Sequence, residues 1–230
     1  MTHLTGPAAW MIEALIAGLS AAHRSAYFMI WNTFLALVPW LLSLWLFRFG
    51  QASRPENRTY DVRRWIWWIG CVLFVAFLPN APYVLTDIIH LMSFIQEGAS
   101  LPTVVLVLIP QYLLFMLIGM EAYVASLINL GHYLTKQGWG LWVLPAELTL
   151  HMLCAVGIYL GRFPRFNSWD IITGPRRLAL YIVRDLLQPE PITIVLITFV
   201  VIAALYWPLK QITLAMVWYW RSPEGPQRLN

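Results

Sequence analysis

Apolar stretches long enough to cross a membrane recur along the chain, separated by short polar segments. Four of them are continuous: residues 27–47, 103–130, 141–160 and 191 to about 207. At about 1.5 Å per residue, helices of this length match the ~30 Å hydrocarbon core of a bilayer. A shorter run at 65–78 begins with Trp65, Trp67 and Trp68, and tryptophan is enriched at membrane interfaces. The pattern predicts membrane-spanning helices.

Two further segments are shorter or apolar on one face only. Residues 8–22 are interrupted by Glu13, which predicts either an interfacial helix or a weak first span. The stretch GPRRLALYIVRDLLQ (174–188) has an apolar face and a polar face: Leu178, Ile182 and Leu186 against Arg177, Arg184 and Gln188. This spacing is typical of a helix that lies flat on the membrane surface.

We therefore predict an all-α integral membrane bundle of five to six transmembrane helices, with a short amphipathic or re-entrant helix and an interfacial helix. Residues 1–230 are expected to form a single membrane domain, with 1–24 as the interfacial helix or weak first span and 221–230 as a polar tail. Composition agrees, because only 11% of the residues are charged, whereas soluble domains carry roughly 25%. The apolar runs are too long and continuous for the strands of a membrane barrel.

The net charge of +4 is concentrated in arginine-rich loops, which in a membrane protein indicates topology and not nucleic-acid binding. If the loop 48–64 is cytoplasmic and the later spans alternate, the cytoplasmic side carries nine lysines and arginines and the outer side six. That excess predicts this orientation by the positive-inside rule. Five of the outer arginines lie between Arg162 and Arg184, against the usual bias. Either the orientation is the reverse or these arginines have a specific role, and we expect the second.

A polar, turn-rich motif follows the span that ends at Leu78, and another follows the span that ends at Leu160. Between these two ends the chain crosses the bilayer twice, through the spans 103–130 and 141–160. Both motifs must therefore lie on the same face of the membrane, whichever face that is.

In the first motif, PNAPYVLTDIIH, Pro79 should end the incoming helix because its ring cannot continue the hydrogen-bond ladder. Asn80 is expected to cap a new helix over 81–96, in whose first turn Pro82 is tolerated. Helical spacing gives that helix a polar stripe and an opposite apolar stripe: Tyr83, Asp87, His90 and Phe94 against Val84, Ile88, Met92 and Ile95. A carboxylate and an imidazole then lie about one turn apart on one face.

The second motif, GRFPRFNSWD, supplies two arginines and four further candidates: Arg162, Arg165, Asn167, Ser168, Trp169 and Asp170. Arginine binds carboxylates and phosphates through paired hydrogen bonds, and a buried Asp87 requires such a partner. With Asn80, Tyr83 and His90, these residues predict a ligand-binding pocket on the outer face. The alternative is structural: the arginines extend to lipid phosphates, or pair with Asp87 only to hold helices together.

Three ionisable residues lie within the spans: Glu121, Glu147 and His151. Intramembrane charges are costly and are functional hypotheses by default. Glu147 and His151 are four residues apart and therefore share a helix face. Two interpretations are open: a proton route from Glu147 through His151 toward Arg162, or a protonated Glu147 that hydrogen-bonds a neighbouring helix. The sequence indicates no metal site and assigns no cofactor.

The strings IWNTFLALVPWLLSLWLF, FLPNAPYVLTDIIHL and GIYLGRFPRFNSWDI resemble the bacterial membrane proteins grouped as domain of unknown function 1361. The combination of PNAPYxxTDxxH with GRFxRxNSWD about seventy residues later is specific as a pair. The resemblance covers most of the chain, roughly from Tyr27 to the last span. It implies a multi-pass protein of the bacterial plasma (inner) membrane and no particular activity.

Three functions remain open at this point. The first is a binding or transport-related protein whose outer-face pocket holds an anionic lipid headgroup or a small anion. The second is a structural or accessory subunit of a larger membrane complex, which thirteen tryptophans and almost no soluble part would suit. The third is a membrane enzyme acting on a lipid or lipid-linked substrate, with Asp87 or His90 as general base. The expected partners are the lipid bilayer and either an anionic ligand or other membrane subunits.

Overall fold

The computed structural model describes residues 7–49, 60–166 and 173–221, and every regular element in that part of the chain is helical. The α-helices are α1 (Pro7–Ser43), α2 (Tyr60–Phe77), α3 (Asn80–Tyr83), α4 (Ile88–Gln96), α5 (Leu101–Thr103), α6 (Ile109–Lys136), α7 (Val143–Arg162), α8 (Pro175–Tyr181) and α9 (Pro189–Arg221). Three π-helical segments and two 3₁₀ turns connect or extend them: Leu44–Phe49, Val104–Leu108 and Ile182–Leu186, and Val84–Asp87 and Gly140–Trp142.

Five segments are long and apolar enough to cross a membrane: Gly18–Phe49, Arg64–Gln96, Leu101–Lys136, Gly140–Arg162 and Pro189–Trp220. The chain is therefore a multi-pass membrane protein, and the predicted all-α bundle is confirmed with five candidate spans in the described residues. The segment 8–22 is not a separate element, because α1 runs unbroken from Pro7 to Ser43. Residues 222–230 of the predicted tail lie outside the described residues.

Contacts between the spans define two ends of the bundle. At one end, Arg48 donates from Nε to Oδ1 of Asn129 at 2.7 Å, close to where α6 ends with Lys136; we call this end the Lys136 face. At the other end, Arg24 pairs with Glu97 at 3.7 Å, and α7 ends toward it with Arg162; we call this end the Arg162 face. The polar motifs after α2 and α7 come together toward the Arg162 face, as the alternation of spans predicts.

The outside of the bundle is apolar, as expected for a surface in contact with lipid. On α9, Trp207 and Trp218 are 61% and 72% exposed. The single helix predicted over 81–96 is wrong, because the segment is divided into α3, a 3₁₀ turn and α4. Ile88 and Met92 of the predicted apolar stripe face outward and Asp87 of the polar stripe is buried, but Val84 of the apolar stripe is buried as well, against Gly119. Because the surroundings are hydrocarbon, ionisable side chains turn toward the bundle interior. The amphipathic helix therefore has its polar side inside.

The short helix α3 lies deep in the bundle and contacts α1, α6 and α7. Gly119 of α6 permits this close approach, since a Cβ there would lie 2.8 Å from the carbonyl oxygen of Ala81. Gly157 of α7 does the same for the ring of Pro79, whose Cγ would lie 2.7 Å from an added Cβ. Small residues allow close packing of membrane helices. The polar motif is thereby held inside the bundle.

Candidate functional site

The site begins at the break between α2 and α3. The incoming helix ends at Phe77, just before Pro79, as the sequence predicts. The expected role of Asn80 is wrong, because no side-chain cap forms at the start of α3. The Asn80 side chain instead donates from Nδ2 to the Phe77 carbonyl at 2.9 Å. The last carbonyls of a helix require donors from outside it, and here the amide serves the helix that ends and not the helix that starts.

Asp87 lies at the centre of a buried polar cluster. Its carboxylate accepts a hydrogen bond from Nδ2 of Asn32 at 2.7 Å, through Oδ2. Its other oxygen, Oδ1, lies 3.5 Å from Nη1 of Arg162, and the Asp87 side chain is only 2% exposed. The cluster therefore connects α1, the 3₁₀ turn after α3, and the end of α7. We call the following set the Asp87 cluster: Asn32, Tyr83, Thr86, Asp87 and Arg162.

The shortest bond of Arg162 is to the main chain. Nη2 donates to the carbonyl of Thr86 at 2.6 Å, and Nη1 donates to the Tyr83 hydroxyl at 3.3 Å. The guanidinium also lies over the Tyr83 ring, 5.6 Å from its centroid, in cation–π range. Arg162 thus satisfies a carbonyl of the irregular 3₁₀ turn while its charge is balanced by Asp87. No net charge remains within this pair to hold a bound anion.

Of the predicted site residues that the structure describes, His90 and Arg165 form no hydrogen bond with the Asp87 cluster, although His90 lies close enough to interact electrostatically with Asp87. His90 packs against Phe28, with ring centroids 4.7 Å apart. Arg165 is exposed at the turn after α7, where its backbone has a φ of 58°. The remaining four candidates lie outside the described residues: Asn167, Ser168, Trp169 and Asp170. The structure therefore brings together only part of the predicted pocket.

Asn32 is a member of the cluster that sequence reasoning missed. The signal was present, because Asn32 is an amide inside the apolar run 27–47. A buried amide without a hydrogen-bond partner costs several kcal/mol (roughly 2–7). Such a residue within a span therefore predicts a polar partner on another helix, which here is Asp87.

A second polar cluster lies between α6, α7 and α9. Oε1 of Glu147 accepts hydrogen bonds from Nζ of Lys210 at 2.5 Å and from the Tyr206 hydroxyl at 2.6 Å. His151, one turn further along α7, is 2.6 Å through Nδ1 from the Tyr123 hydroxyl of α6. We call these residues the Glu147 cluster: Tyr123, Glu147, His151, Tyr206 and Lys210.

These contacts bear on the two interpretations of the intramembrane charges. Glu147 does hydrogen-bond a neighbouring helix, through Tyr206, but it is also paired with Lys210, which the sequence analysis did not anticipate. Glu121 lies apart from the cluster and accepts a bond from Thr213 at 2.9 Å. From His151 to Arg162, α7 rises about 16 Å, and among the described residues no chain of hydrogen bonds bridges that interval. The contacts favour helix attachment over a continuous proton route.

A cavity of about 400 Å³ opens between α1, the end of α2 and α7. Its lining is largely apolar, and three side chains give it polar character: Asn32, Asn80 and Tyr83. Trp31 and Leu153 also line it and are 55% and 45% exposed, so the cavity faces the hydrocarbon around the bundle. Phe166 and Leu178 extend the lining beyond the end of α7. We call this cavity the lateral groove.

Comparison with known proteins identifies a family but no function. No curated protein matches the chain, and no solved structure does. The family described as "Protein of unknown function (DUF1361)" matches residues 31–204, a range that includes the Asp87 cluster and the lateral groove. This match extends over well more than half of the 230 residues. The chain therefore belongs to the family of proteins of unknown function designated DUF1361.

Proposed function

We propose that the protein binds a single lipid molecule with an anionic headgroup, taken from the surrounding bilayer. Its hydrocarbon chain would occupy the lateral groove, and its polar part would lie toward the Arg162 face. The observation that carries this proposal is the combination of an apolar lining, an opening toward lipid and a few polar side chains in one cavity. Such cavities, mostly apolar with a few placed polar groups, are typical of small-molecule sites.

The polar side chains of the groove suit the uncharged part of a lipid. Asn32 and Tyr83 belong both to the groove lining and to the Asp87 cluster, where the charges of Asp87 and Arg162 balance. Amide and hydroxyl groups of this kind favour hydroxyl, ester or amide groups in a ligand. The anionic part of the headgroup must then be bound by other positive groups of the Arg162 face.

The catalytic alternative receives less support from this geometry. Asp87 is buried, and both of its oxygens have partners in Asn32 and Arg162, so we infer that it holds helices together and does not act as a base. His90, the other candidate base, packs against Phe28. Binding, in the bacterial plasma membrane that the family resemblance implies, is therefore the function we propose.

The test is lipid retention after the groove has been filled. Val156 of α7 lines the groove, and Val156→Trp would occupy the space intended for hydrocarbon. We expect native mass spectrometry in a mild detergent to show one lipid bound to the wild-type protein. In the variant, the bound fraction should fall by about tenfold or more, equivalent to at least ~1.4 kcal/mol.

Leu148→Trp is the matched control, because Leu148 is exposed on the same helix and does not line the groove. It should retain lipid as the wild type does. Equal retention in Val156→Trp and wild type, or no lipid in either, would overturn the proposal. A lipid-free protein that carries a stoichiometric protein subunit would favour the accessory-subunit function instead.

A further inference from the structure

A second, wider cavity of about 840 Å³ lies beside the lateral groove at the Arg162 face. Its described lining comes from Pro164 and Phe166 just after α7, from α8 and from the π-helical turn that follows α8. Three arginines line it: Arg176, Arg177 and Arg184. The only carboxylate among its described lining residues is Asp185, so this lining carries a net charge of +2, from three arginines and one aspartate.

The charges of these arginines are available to a ligand. All three residues are exposed, and within the part of the chain that the structure describes none of them pairs with a carboxylate. Arg162 differs in this respect, since Asp87 and the Thr86 carbonyl occupy its guanidinium. Arginines without a carboxylate partner suit phosphate, which they bind through two parallel, charge-assisted hydrogen bonds.

The two cavities adjoin each other through α8 and Phe166. Phe166 lines both of them, and Arg177 lies over its ring at 5.2 Å. Leu178, the residue after Arg177, lines the lateral groove. A molecule whose hydrocarbon lies in the groove would therefore pass from Leu178 to Arg177 as it leaves the apolar region. That order matches a phospholipid, whose phosphate is joined to its acyl chains through the glycerol and its ester groups.

We propose that Arg176, Arg177 and Arg184 bind the phosphate of the lipid headgroup, and that they select a headgroup with net negative charge. This inference rests on the proposed function, because it takes the hydrocarbon to lie in the lateral groove. The net charge of +2 on the lining complements an anionic phospholipid and disfavours a zwitterionic one, whose ammonium group would approach the arginines. The anion site that the sequence placed at Arg162 is thus assigned to α8.

The experiment is a competition between two phospholipids that differ only in the headgroup. Delipidated protein in mild detergent is offered equal amounts of dioleoyl phosphatidic acid and dioleoyl phosphatidylcholine, and native mass spectrometry measures the ratio that is bound. We expect the wild type to favour phosphatidic acid by about tenfold. The double variant Arg177→Gln/Arg184→Gln should bind the same total amount of lipid with a ratio close to one.

Arg165→Gln is the matched control, because Arg165 is an exposed arginine of the same face that does not line the cavity; it should keep the wild-type ratio. A preference that survives in the double variant overturns this inference and leaves the proposed function intact. Lipid binding without headgroup preference in the wild type overturns this inference together with the anionic headgroup of the proposed function, and leaves the lateral groove as a lipid site. Failure of the wild type to bind either lipid overturns both.

A separate titration with inorganic phosphate distinguishes the source of the phosphate group. Phosphate at the lipid concentration should leave the bound ratio unchanged, because a free anion gains nothing from the lateral groove. If inorganic phosphate alone abolishes the preference at equal concentration, the arginines bind a soluble anion and the lipid assignment is wrong.

Discussion

The Asp87 cluster and the Glu147 cluster contain the same chemistry, one cation beside one carboxylate inside a membrane bundle. Their exposures are similar, with side chains 20% and 2% exposed for Arg162 and Asp87 and 21% and 6% for Lys210 and Glu147. Their geometry differs. Lys210 lies 2.5 Å from the carboxylate, whereas the closest nitrogen–oxygen approach between Arg162 and Asp87 is 3.5 Å.

That difference shows what each pair does. The Glu147 cluster links three helices, α6, α7 and α9, that are continuous through it, and its bonds join side chains to side chains. The Asp87 cluster lies at an interruption of the helical path, and the shortest bond of Arg162 reaches the Thr86 carbonyl. The first cluster fixes one helix against another. The second adds a side-chain donor to the Thr86 carbonyl, which also accepts from the Ile88 N–H, and it forms part of a cavity lining.

The largest expected effect comes from Arg162→Met, which keeps an unbranched apolar stem and removes the charged guanidinium. Asp87 would stay buried with Asn32 as its remaining partner, and the Thr86 carbonyl would lose its bond to the guanidinium. Breaking a buried pair from one side costs about 3–5 kcal/mol. Thermal unfolding in detergent should show this as a large fall in stability.

A second substitution separates charge from backbone support. Adding Asp87→Asn to Arg162→Met removes the unpaired carboxylate and should recover part of the loss, but not the part due to the Thr86 carbonyl. Full recovery would show that Arg162 acts only as a counter-ion, and the distinction between the two clusters would then fail.

The next effect in size is expected from Lys210→Met in the Glu147 cluster. Glu147 keeps its bond from Tyr206, and Lys210 is partly exposed, so the cost should be about 1–3 kcal/mol. The loss of packing should be confined to α9 and its contacts with α7. Cys154 of α7 is fully buried and reports this opening, because maleimide labelling of a Cys71→Ser background modifies Cys154 alone.

Faster labelling of Cys154 in Lys210→Met than in Arg162→Met is the result that supports two separate roles. The expectation follows from a contact, since the Cys154 side chain lies beside Tyr123 of the Glu147 cluster. If both variants expose Cys154 equally, the two clusters open together as one cooperative unit, and the proposal that they stabilise different parts of the bundle is wrong.

The sequence predicted the position of the break and the meeting of the two motifs, because both depend on local rules. Proline ends a helix, and alternating spans bring the ends of α2 and α7 toward one face. The partners were harder to predict. Asn32 and Lys210 contact residues 55 and 63 positions away in the chain, so their roles depend on which helices become neighbours. Asn80 was misassigned because a side-chain amide satisfies either of the two helix ends beside it.

The smallest expected effect concerns Arg165, which the sequence motif GRFPRFNSWD places beside Arg162 as a second candidate for binding carboxylates or phosphates. Its φ of 58° is a left-handed conformation that costs an L-residue roughly 1–2 kcal/mol. Arg165→Gly removes this cost but increases the freedom of the unfolded chain, which costs about 0.5–1 kcal/mol, so the free energy of thermal unfolding should rise by at most about 1.5 kcal/mol. Arg165→Ala keeps the strain and should be less stable than Arg165→Gly. Destabilisation of Arg165→Gly to the level of Arg162→Met would mean that the two arginines share the support of the Asp87 cluster, and that the cluster extends into the turn after α7.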